Sequence, residues 1–470
     1  MKLISIGSAA LPLSKFMQAE PATLAAAAHD LRAEMQGKVI LPGEEAYASV
    51  RQVWNGAVTY RPAMFALCER VTDVQAAVRV ARAHRLPLSV RGGGHDWAGR
   101  ALRDGGLVID LTPMRQVQVD PVAKVATVAG GAKCRDVNAA VPHGLAAVTA
   151  GSGPVGMGGF LLGGGYSRLS TRFGLAVDSL LGAEVVLADG SAVWADASRN
   201  PDLFWSLRGG GGNFGVVTSM RIRLHPLSEV LAGLILFPWS EAEAILREFA
   251  QIVSSAPDEL SIQAGGLPGP DGNLLMALFP VWSGEQTRGE EVVARLQKLG
   301  TPILTNVAPM DYAEVAALRD DRIINGRHRF LRTQWFADLT PEMISTLVKG
   351  GAGRTSPLTF IGLQHLHGAA TRVAPEATAF AMRRKHFMLD IMAEWEPTSK
   401  AEGDVHREWA SGLSRALAPL ALPGGYANFL TADEHEQVSA AYGSNASRLR
   451  EVKGRFDPDN VFSSAIPLPA

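Results

Sequence analysis

Three clusters of glycine constrain this chain more than any other feature of its sequence. They lie at residues 92–94, 156–165 and 209–215, and the first follows a short β-like run, Leu88 to Val90. Consecutive glycines let the backbone approach a ligand closely and aim N–H groups at an anion. Any one cluster could be a tight turn, but together they predict loops that meet around one long ligand, such as a dinucleotide. His95 directly follows the first cluster, so its side chain is expected to lie against that ligand.

Length and charge narrow the class of protein. At 470 residues the chain exceeds a single simple core, so two or three domains are expected. The formal net charge of −1 offers no general electrostatic attraction to nucleic acid or to an anionic membrane. No run of about 18 apolar residues is present to span a bilayer. These properties are typical of a soluble globular protein of enzyme size.

The cysteines and the N-terminus bear on the compartment. Cys68 and Cys134 are too few for a disulfide framework and lack metal-ligand spacing, which favours thiols over a single bridge. Residues 1–11 resemble a signal peptide only in part, because their charged region is one lysine and Pro12 and Lys15 interrupt a short apolar run. A cytoplasmic protein is expected, with export as the alternative.

The pattern of strands and helices changes twice along the chain. Residues 38–227 alternate short strands and helices, 228–424 mix longer helices with isolated strands, and 425–470 change again. In the first block we predict a helix capped by Thr72-Asp73 and strands at Leu107–Ile109 and Val125–Val128. We also predict a hairpin of Glu184–Ala188 and Ala192–Trp194. A further strand is expected through Met220, Ile222 and Leu224, and it should stop at Pro226. In the later blocks we predict helices at 241–254 and 289–299, strands at 274–278, 358–363 and 387–395, a strand ending at Tyr426-x-Asn428, and a helix started by the capping box Thr431-x-x-Glu434. The middle block is thus expected to be inserted between two parts of one domain.

Two stretches match the dinucleotide fingerprint in letters. Residues 151–156 read Gly-Ser-Gly-Pro-Val-Gly, with Asp178 at a suitable distance downstream, but the residues after Gly156 are too rich in glycine for a reliable helix. Residues 210–215 fail in the opposite way, because a helix-like segment precedes them and a strand follows. Both matches are therefore interpreted as coincidental, and a nicotinamide-dependent Rossmann dehydrogenase is kept as the alternative.

The same loops carry a resemblance to a known family. Its motifs are Arg91-Gly92-Gly93-Gly94-His95, Gly105-Gly106-Leu107-Val108-Ile109-Asp110-Leu111, Val155-Gly156-x-Gly158-Gly159 running to Gly163-Gly164-Gly165-Tyr166, Asp202-Leu203-Phe204-Trp205, Asn213-Phe214-Gly215-Val216-Val217-Thr218, Tyr426-x-Asn428 and Phe456-Asp457-Pro458-x-Asn460-x-Phe462. The chain resembles the berberine-bridge-enzyme-like FAD-linked oxidases of the vanillyl-alcohol oxidase and p-cresol methylhydroxylase fold group, well over 38–227 and 424–466 and weakly between. The resemblance implies an α+β fold: an FAD-binding domain of two α/β subdomains (38–227, completed by 425–470) and a substrate domain (228–424) with an antiparallel sheet covered by helices.

The resemblance also implies a cofactor and its attachment. In this family the histidine that matches His95 is bonded to the 8α-methyl carbon of FAD, although a histidine that only hydrogen-bonds near the cofactor is the alternative. Relatives that attach FAD twice use a cysteine where this chain has Ser152, so single attachment is expected. The implied cofactor-binding residues are His95, Arg91, Gly92, Gly93, Gly94, Asp96, Ser152, Gly156, Gly158, Gly159, Gly164, Gly165, Tyr166, Gly215, Val217 and Asn428.

Three residues are candidates for roles in catalysis. The resemblance marks Val155 as the side chain that admits O2 to the flavin, which implies an oxidase that forms hydrogen peroxide; ordinary packing is the alternative. Tyr426 matches a family tyrosine that often acts as base, and it competes with a role in supporting FAD. Asp390 is the second candidate base, on a strand whose Met392 and Glu394 would share its face, with an ordinary ion pair as the alternative.

Two further pairs of side chains are ambiguous. His365 and His367 would share one face of a strand, but no third ligand is evident, so lining of the substrate pocket or plain surface is favoured over a metal site. Arg383 and Arg384 could meet an acidic substrate or lie on a solvated helix face.

The expected activity is hydride abstraction from an alcohol, an amine or an activated C–H group of a small organic molecule, with electrons passing to O2, and with oxidative cyclisation as a possible outcome. Sugar, alkaloid, polyketide and phenolic substrates all remain open, as does the oligomeric state. A flavoprotein that binds a ligand without turnover is a second alternative.

Overall fold

The computed structural model describes residues 20–397 and 399–469. Residues 1–11, which resemble a signal peptide in part, lie outside the described residues. The strands are β1 (Lys38–Ile40), β2 (Met64–Leu67), β3 (Leu88–Arg91), β4 (Leu107–Asp110), β5 (Val117–Asp120), β6 (Val125–Ala129), β7 (Leu145–Ala146), β8 (Leu180–Val186), β9 (Ala192–Ala195), β10 (Val216–Arg223), β11 (His225–Pro226), β12 (Glu229–Pro238), β13 (Leu260–Pro268), β14 (Leu274–Trp282), β15 (Leu304–Asp311), β16 (His328–Phe336), β17 (Phe360–Leu366) and β18 (His386–Trp395). The α-helices are α1 (Pro21–Glu34), α2 (Tyr47–Val50), α3 (Val71–Ala83), α4 (Cys134–Ala140), α5 (Met157–Leu162), α6 (Ser170–Phe173), α7 (Pro201–Leu207), α8 (Ala242–Ser254), α9 (Gln286–Gln297), α10 (Tyr312–Ala317), α11 (Pro341–Ala352), α12 (Lys400–Leu417), α13 (His435–Tyr442) and α14 (Ala446–Phe456).

The first sheet has the strand order β1-β2-β4-β3, in which β2, β4 and β3 run parallel. Helix α3 packs on it through the buried residues that its sequence spacing predicted, Val74, Ala77, Val78 and Ala81. The helix begins at Val71, so the predicted cap at Thr72-Asp73 is wrong. The Asp73 carboxylate instead accepts hydrogen bonds from the backbone N–H groups of Gln36, Gly37 and Glu69, because α1 and the chain after it pack against this end of the helix.

The second sheet is antiparallel, with the order β5-β6-β10-β8-β9. The hairpin predicted around Asp189-Gly190 is confirmed as β8 and β9. The alternation in β10 is confirmed as well, since Met220 and Ile222 are buried while Arg221 and Arg223 are exposed. The strand ends at Arg223, and a separate bridge, β11, pairs with β7.

The third sheet has seven strands in the order β15-β12-β14-β13-β17-β18-β16, and neighbouring strands pair antiparallel. Helices α8, α9, α11 and α12 pack on one face. In β18 the odd-numbered residues from Phe387 to Trp395 join that core. Because side chains alternate along a strand, Met388, Asp390, Met392 and Glu394 lie on the other face.

Other local predictions also differ from the structure. A short helix, α5, does follow Gly156, because Met157, Phe160, Leu161 and Leu162 are buried in the core and this packing overrides the low helix propensity of glycine. Residues 426–429 form a turn, closed by a hydrogen bond from the Phe429 N–H to the Tyr426 carbonyl, rather than a strand end.

The helix expected to start at Thr431 begins instead at His435. The Glu434 carboxylate still accepts hydrogen bonds from the Thr431 backbone N–H and hydroxyl, but these stabilise the turn that precedes the helix.

An ion pair joins the segment before β18 to the short turn before β8. Arg383 is buried, and its guanidinium donates to both carboxylate oxygens of Asp178 at 2.8 and 2.9 Å. The expectation that Arg383 lies on a solvated helix face or meets a substrate is therefore wrong, whereas Arg384 is exposed on a loop. Asp178, the acidic residue downstream of the fingerprint match, is engaged by this arginine.

Replacing Asp178 by alanine is expected to lower the free energy of unfolding by about 3–5 kcal/mol, because it leaves the buried Arg383 charge uncompensated. Urea denaturation followed by circular dichroism measures the loss. Glu243→Ala is the matched control, since it breaks an exposed helical pair with Arg247 and should cost less than about 1 kcal/mol. Equal losses in the two variants would contradict the structural role of the buried pair.

Candidate active site

A cavity of about 850 Å³ lies between the glycine loops and the free face of the third sheet. Its walls come from the loop after β3, from segments near residues 150–160 and 211–217, from β13, β16, β17 and β18, and from the C-terminal segments near 426–429 and 462–466. The prediction that the three glycine clusters meet is thus confirmed. The volume lies in the upper part of the range of about 300–1,000 Å³ that is usual for sites of small molecules and cofactors.

Two of the glycine loops touch backbone to backbone. A Cβ added at Gly93 would lie 2.4 Å from the Gly156 nitrogen, and one added at Gly156 would lie 2.4 Å from the Gly93 nitrogen. Gly94 has φ +65°, a backbone conformation that side chains disfavour. Only glycine at these positions allows both loops to line the same wall with bare backbone.

His95 lines the cavity next to these loops. Its ring stacks on Trp54 with centroids 4.2 Å apart and an angle of 14° between planes. Its Nε2 atom is buried and has no hydrogen-bond partner among the described residues. Burial, and then the positive charge of Arg329, lower the pKa of His95 to about 4. The imidazole is therefore neutral near pH 7, with one nitrogen lone pair free to interact with a ligand.

A buried network that the sequence did not reveal holds this histidine. The Arg329 guanidinium lies 4.2 Å from the Trp54 ring centroid and donates to the Trp54 carbonyl at 2.7 Å. It also donates to the Glu394 carboxylate at 3.0 Å, whose other oxygen accepts from Arg327 at 3.0 Å. No motif marks Trp54 or Arg329; the only sequence signal for this group was the alternation that placed Glu394 on the face of Asp390.

The C-terminal segment closes the site beside the first loop. The Asp96 carboxylate pairs with Arg100, which in turn donates to the backbone carbonyl of Asn428 at 2.7 Å. The indole of Trp97 donates to the carbonyl of Phe429 at 3.0 Å. These contacts hold Tyr426 and Asn428 at the cavity although they lie more than 300 residues from the loop.

Tyr426 is buried at the cavity wall. Its hydroxyl oxygen accepts hydrogen bonds from the Gly165 N–H at 3.1 Å and from the Asn428 amide at 2.8 Å. Its ring packs edge-to-face on Tyr166, whose hydroxyl contacts His386 Nε2 at 2.7 Å. Burial raises the pKa of Tyr426 to about 12, so the phenol is protonated near neutral pH.

Asp390 lies on β18, opposite Gly362 on β17. A Cβ added at Gly362 would lie 2.3 Å from Asp390 Oδ1, so the glycine makes room for the carboxyl group. Oδ1 has no hydrogen-bond partner among the described residues, and Asp390 is only 8% exposed. Burial raises its pKa to about 6, while the positive charge of Arg319 opposes that rise.

The structure brings most of the candidate residues to this one cavity. The candidates that line it are Val155, Asp390, Tyr426, His95, Gly92, Gly93, Gly94, Asp96, Ser152, Gly156, Gly158, Gly159, Tyr166, Gly215, Val217 and Asn428. Arg91, Gly164 and Gly165 are not in the wall. The Arg91 side chain donates to the Val50 carbonyl and lies 3.6 Å from the Asp110 carboxylate, so it supports the loop from behind. Gly164 and Gly165, with φ +126° and +79°, form the turn that carries Tyr166.

The other ambiguous side chains lie away from the cavity. His365 and His367 stack on each other with centroids 4.5 Å apart, and both are buried outside the cavity wall, so neither pocket lining nor plain surface describes them. Among the described residues, no group of three or more His, Cys, Asp or Glu side chains is arranged to bind a metal ion. Cys68 and Cys134 are buried free thiols, as expected.

The residues of this cavity fit FAD. Bare backbone at Gly93 and Gly156 provides a surface that a Cβ would fill, and the unpartnered Nε2 of His95 is the kind of atom that a bound group would satisfy. Within residues 20–397 and 399–469, no helix combines the length and the apolar character that are needed to cross a bilayer.

Comparison with known families agrees with this fit. The model described as "FAD binding domain" matches residues 62–196, and the model described as "Berberine and berberine like" matches residues 425–469. The two matches thus cover both glycine loops that meet at Gly93 and Gly156, and the segment that carries Tyr426 and Asn428.

Individual relatives extend the likeness over most of the chain. The FAD-linked oxidoreductase aurO of Gibberella zeae is 33% identical over 426 residues, which cover 88% of this chain and 82% of that protein. The (R)-6-hydroxynicotine oxidase of Paenarthrobacter nicotinovorans is 30% identical over 448 residues, which cover 91% and 95%. The crystal structure of 6-hydroxy-D-nicotine oxidase from Arthrobacter nicotinovorans superposes with a TM-score of 0.84 at 29% identity, covering 92% of this chain and 98% of that one.

These likenesses favour FAD over the nicotinamide alternative, and they favour an enzyme over a flavoprotein without turnover. The two matches to the dinucleotide fingerprint belong to this same site, because the 151–156 and 210–215 segments both lie at the wall of the cavity. The chain therefore belongs to the berberine-bridge-enzyme-like FAD-linked oxidoreductases, with the fold of the vanillyl-alcohol oxidase and p-cresol methylhydroxylase group.

Proposed function

We propose that this protein is an oxidase that carries FAD on His95 and oxidises an alcohol, an amine or an activated C–H group of a small organic molecule. One observation carries the proposal: Nε2 of His95 and Oδ1 of Asp390 belong to residues of the cavity wall, and both atoms are buried without a hydrogen-bond partner among the described residues. The first suits covalent attachment of a cofactor, and the second suits transfer of a proton from a substrate. Oxidative ring closure is compatible with the same chemistry.

Different walls of the cavity are proposed to bind the cofactor and the substrate. We assign binding of the cofactor to residues 38–227 with 425–470, and binding of the substrate to residues 228–424. Bound FAD would supply the acceptor for the hydride of the substrate, and O2 would then take up two electrons and two protons to give hydrogen peroxide. The backbone at Gly92, Gly93 and Gly156 would hold the cofactor without lysines, and Ser152 cannot supply the thioether that a cysteine would form.

His95 is prepared for attachment by its neighbours. Stacking on Trp54 fixes the plane of the ring, and Arg329 disfavours the imidazolium form. A neutral imidazole with a free Nε2 can bond to an electrophilic carbon, whereas a protonated one cannot.

Asp390 is the better candidate for the base. The Glu394 carboxylate is occupied by Arg327 and Arg329, and the Tyr426 phenol has its pKa raised to about 12. Asp390 has a pKa near 6, so it is ionised at neutral pH yet basic enough to accept a proton from a substrate hydroxyl or ammonium group. We therefore place Asp390 before Tyr426 as the proposed base, and we assign Tyr426 to support of the cofactor with Asn428.

We assign the access of O2 to Val155, whose small side chain lines the cavity. The test is to mix the purified yellow protein anaerobically with amines, including 6-hydroxynicotine, with alcohols and with reducing sugars, and then to admit air. We expect one class to bleach the flavin absorbance, and we expect O2 to restore the absorbance with formation of hydrogen peroxide. Bleaching that O2 fails to reverse would instead indicate a dehydrogenase, and an absorbance that no compound bleaches would contradict the proposed activity.

A further inference from the structure

Two arginines at the cavity lie in unusual surroundings. Arg168 and Arg319 both line the wall, and their guanidinium carbons lie 5.2 and 5.0 Å from the centroid of the same ring, Phe279. Phe279 itself is buried and is not part of the wall. The two cations therefore share one aromatic support, and the charge of Arg319 also acts on the pKa of Asp390.

Arg168 is buried without a countercharge. It is 8% exposed, and its Nη1 has no hydrogen-bond partner among the described residues. A Cβ at Gly151 would lie 2.9 Å from its Nε, so the glycine leaves room for the side chain at the wall. An arginine in this position costs desolvation free energy that an anionic ligand would offset.

Arg319 is held in place by rings rather than by a carboxylate. Its guanidinium lies 5.0 Å from the Phe279 centroid and 4.7 Å from that of Phe360. No ion pair within 4 Å involves Arg168 or Arg319 in the part of the chain that the structure describes. Burial, and then the charge of Arg168, lower the pKa of Arg319 to about 10, which indicates that the two cations are close enough to repel each other.

The charges at this wall do not balance. Glu394 is neutralised by Arg327 and Arg329, and Asp96 is neutralised by Arg100. Asp321 and Arg322 lie at the wall too, but both are exposed to solvent. Asp390 then remains as one buried carboxylate against two guanidiniums, so the wall has an excess of positive charge.

We propose that Arg168 and Arg319 form a subsite for a carboxylate, and that the substrate of this enzyme is an organic acid. A planar guanidinium matches a carboxylate through paired N–H donors, and two of them held against rings are preorganised for it. The apolar residues of the wall, among them Leu267, Leu331, Phe360 and Met392, would contact the body of that acid. That the acid is the substrate rests on the proposed function; that the subsite binds a carboxylate does not.

The test measures binding by isothermal titration calorimetry on the holoenzyme. The probes are benzoate, its neutral analogue benzamide and the cation benzylammonium. Because hydrogen bonds between charged partners are stronger than those to a neutral amide, benzoate should bind at least about 10-fold more tightly than benzamide. Benzylammonium should bind more weakly than either.

Three variants test which arginines cause the preference for benzoate over benzamide. In Arg168→Met and Arg319→Met the ratio of the benzamide to the benzoate Kd should fall to near 1, because methionine keeps much of the volume but not the charge. Arg172→Met is the matched control: Arg172 also packs on a phenylalanine, Phe173, and has an unpartnered nitrogen, but it is not in the cavity wall. It should keep the ratio of the wild-type protein. If circular dichroism shows that Arg168→Met does not fold, the ratio measured in Arg319→Met tests the proposal by itself, because Arg319 is only half-buried.

Three results would overturn the proposal. These are equal affinities of the wild type for benzoate and benzamide, an equal loss of preference in Arg172→Met, and unchanged ratios in variants whose flavin absorbance shifts, since that shift would mean that the arginines face the cofactor. The proposed function fails differently: a protein that prefers benzoate but whose flavin no compound bleaches would keep the subsite and lose the activity.

Discussion

Replacing His95 by alanine is expected to move the yellow colour from the pellet to the supernatant when the protein is precipitated with acid. If His95 carries the flavin as proposed, the bond from its imidazole keeps the flavin with the denatured wild-type chain. In His95→Ala the cavity and the glycine loops remain, so FAD should still bind but should be released on denaturation. Absorbance of the two fractions after precipitation measures the effect, which is expected to be nearly all-or-none.

A matched variant isolates the role of this histidine. His225 is also half-buried and stacked on an aromatic ring, Phe173, but it is not in the cavity wall. His225→Ala should therefore keep its colour in the pellet. The reduction potential of the bound flavin should also fall in His95→Ala, because the proposed bond to His95 withdraws electron density from the isoalloxazine ring. Release of the flavin from the wild-type protein on precipitation would contradict covalent attachment but would be compatible with FAD as the cofactor.

Replacing Asp390 by asparagine is expected to slow reduction of the flavin by substrate by about 10²- to 10⁴-fold, the usual contribution of a positioned base. The asparagine keeps the shape of the side chain but cannot accept the proton. In the wild type the rate should rise with pH around pH 6, because the proposed base accepts a proton only as a carboxylate, which is populated above its pKa of about 6. That rise should be absent from the variant.

Stability separates lost chemistry from lost folding in this variant. The pKa of Asp390 is raised above its unfolded value, so its contribution to stability is present at low pH and is lost as the pH rises through about 6. At pH 8 the asparagine variant should therefore be at least as stable as the wild type in thermal denaturation. A variant that is inactive and also less stable would point to a structural role.

Tyr426→Phe is the direct comparison with the competing base. The phenol oxygen accepts hydrogen bonds from the Gly165 N–H and the Asn428 amide, so its removal should loosen the cofactor and lower the rate. The rise in rate near pH 6 should remain, because a group with a pKa of about 12 does not titrate there. Loss of that rise in Tyr426→Phe but not in Asp390→Asn would restore the tyrosine as the base.

Several parts of the fold follow from patterns that are local in sequence. The alternation at Met220 and Ile222 predicts a strand with one buried face, and the spacing of apolar residues in α3 predicts its packed side. The placement of Asp390 and Glu394 on one face of β18 follows from the period of a strand. Local patterns failed where packing outweighed them: α5 forms despite two glycines, since its apolar side chains are buried in the core.

The sequence by itself determined which loops are bare backbone, that His95 lies beside them, and to which family the loops and the Tyr426-x-Asn428 motif belong. These are properties of residue type and short spacing. Only the tertiary structure decided that Arg329 contacts Trp54 behind His95, that Asp178 pairs with Arg383, and that Arg168 and Arg319 meet on Phe279. Each of these contacts joins residues that are distant in sequence, and no local pattern encodes which buried side chains will meet.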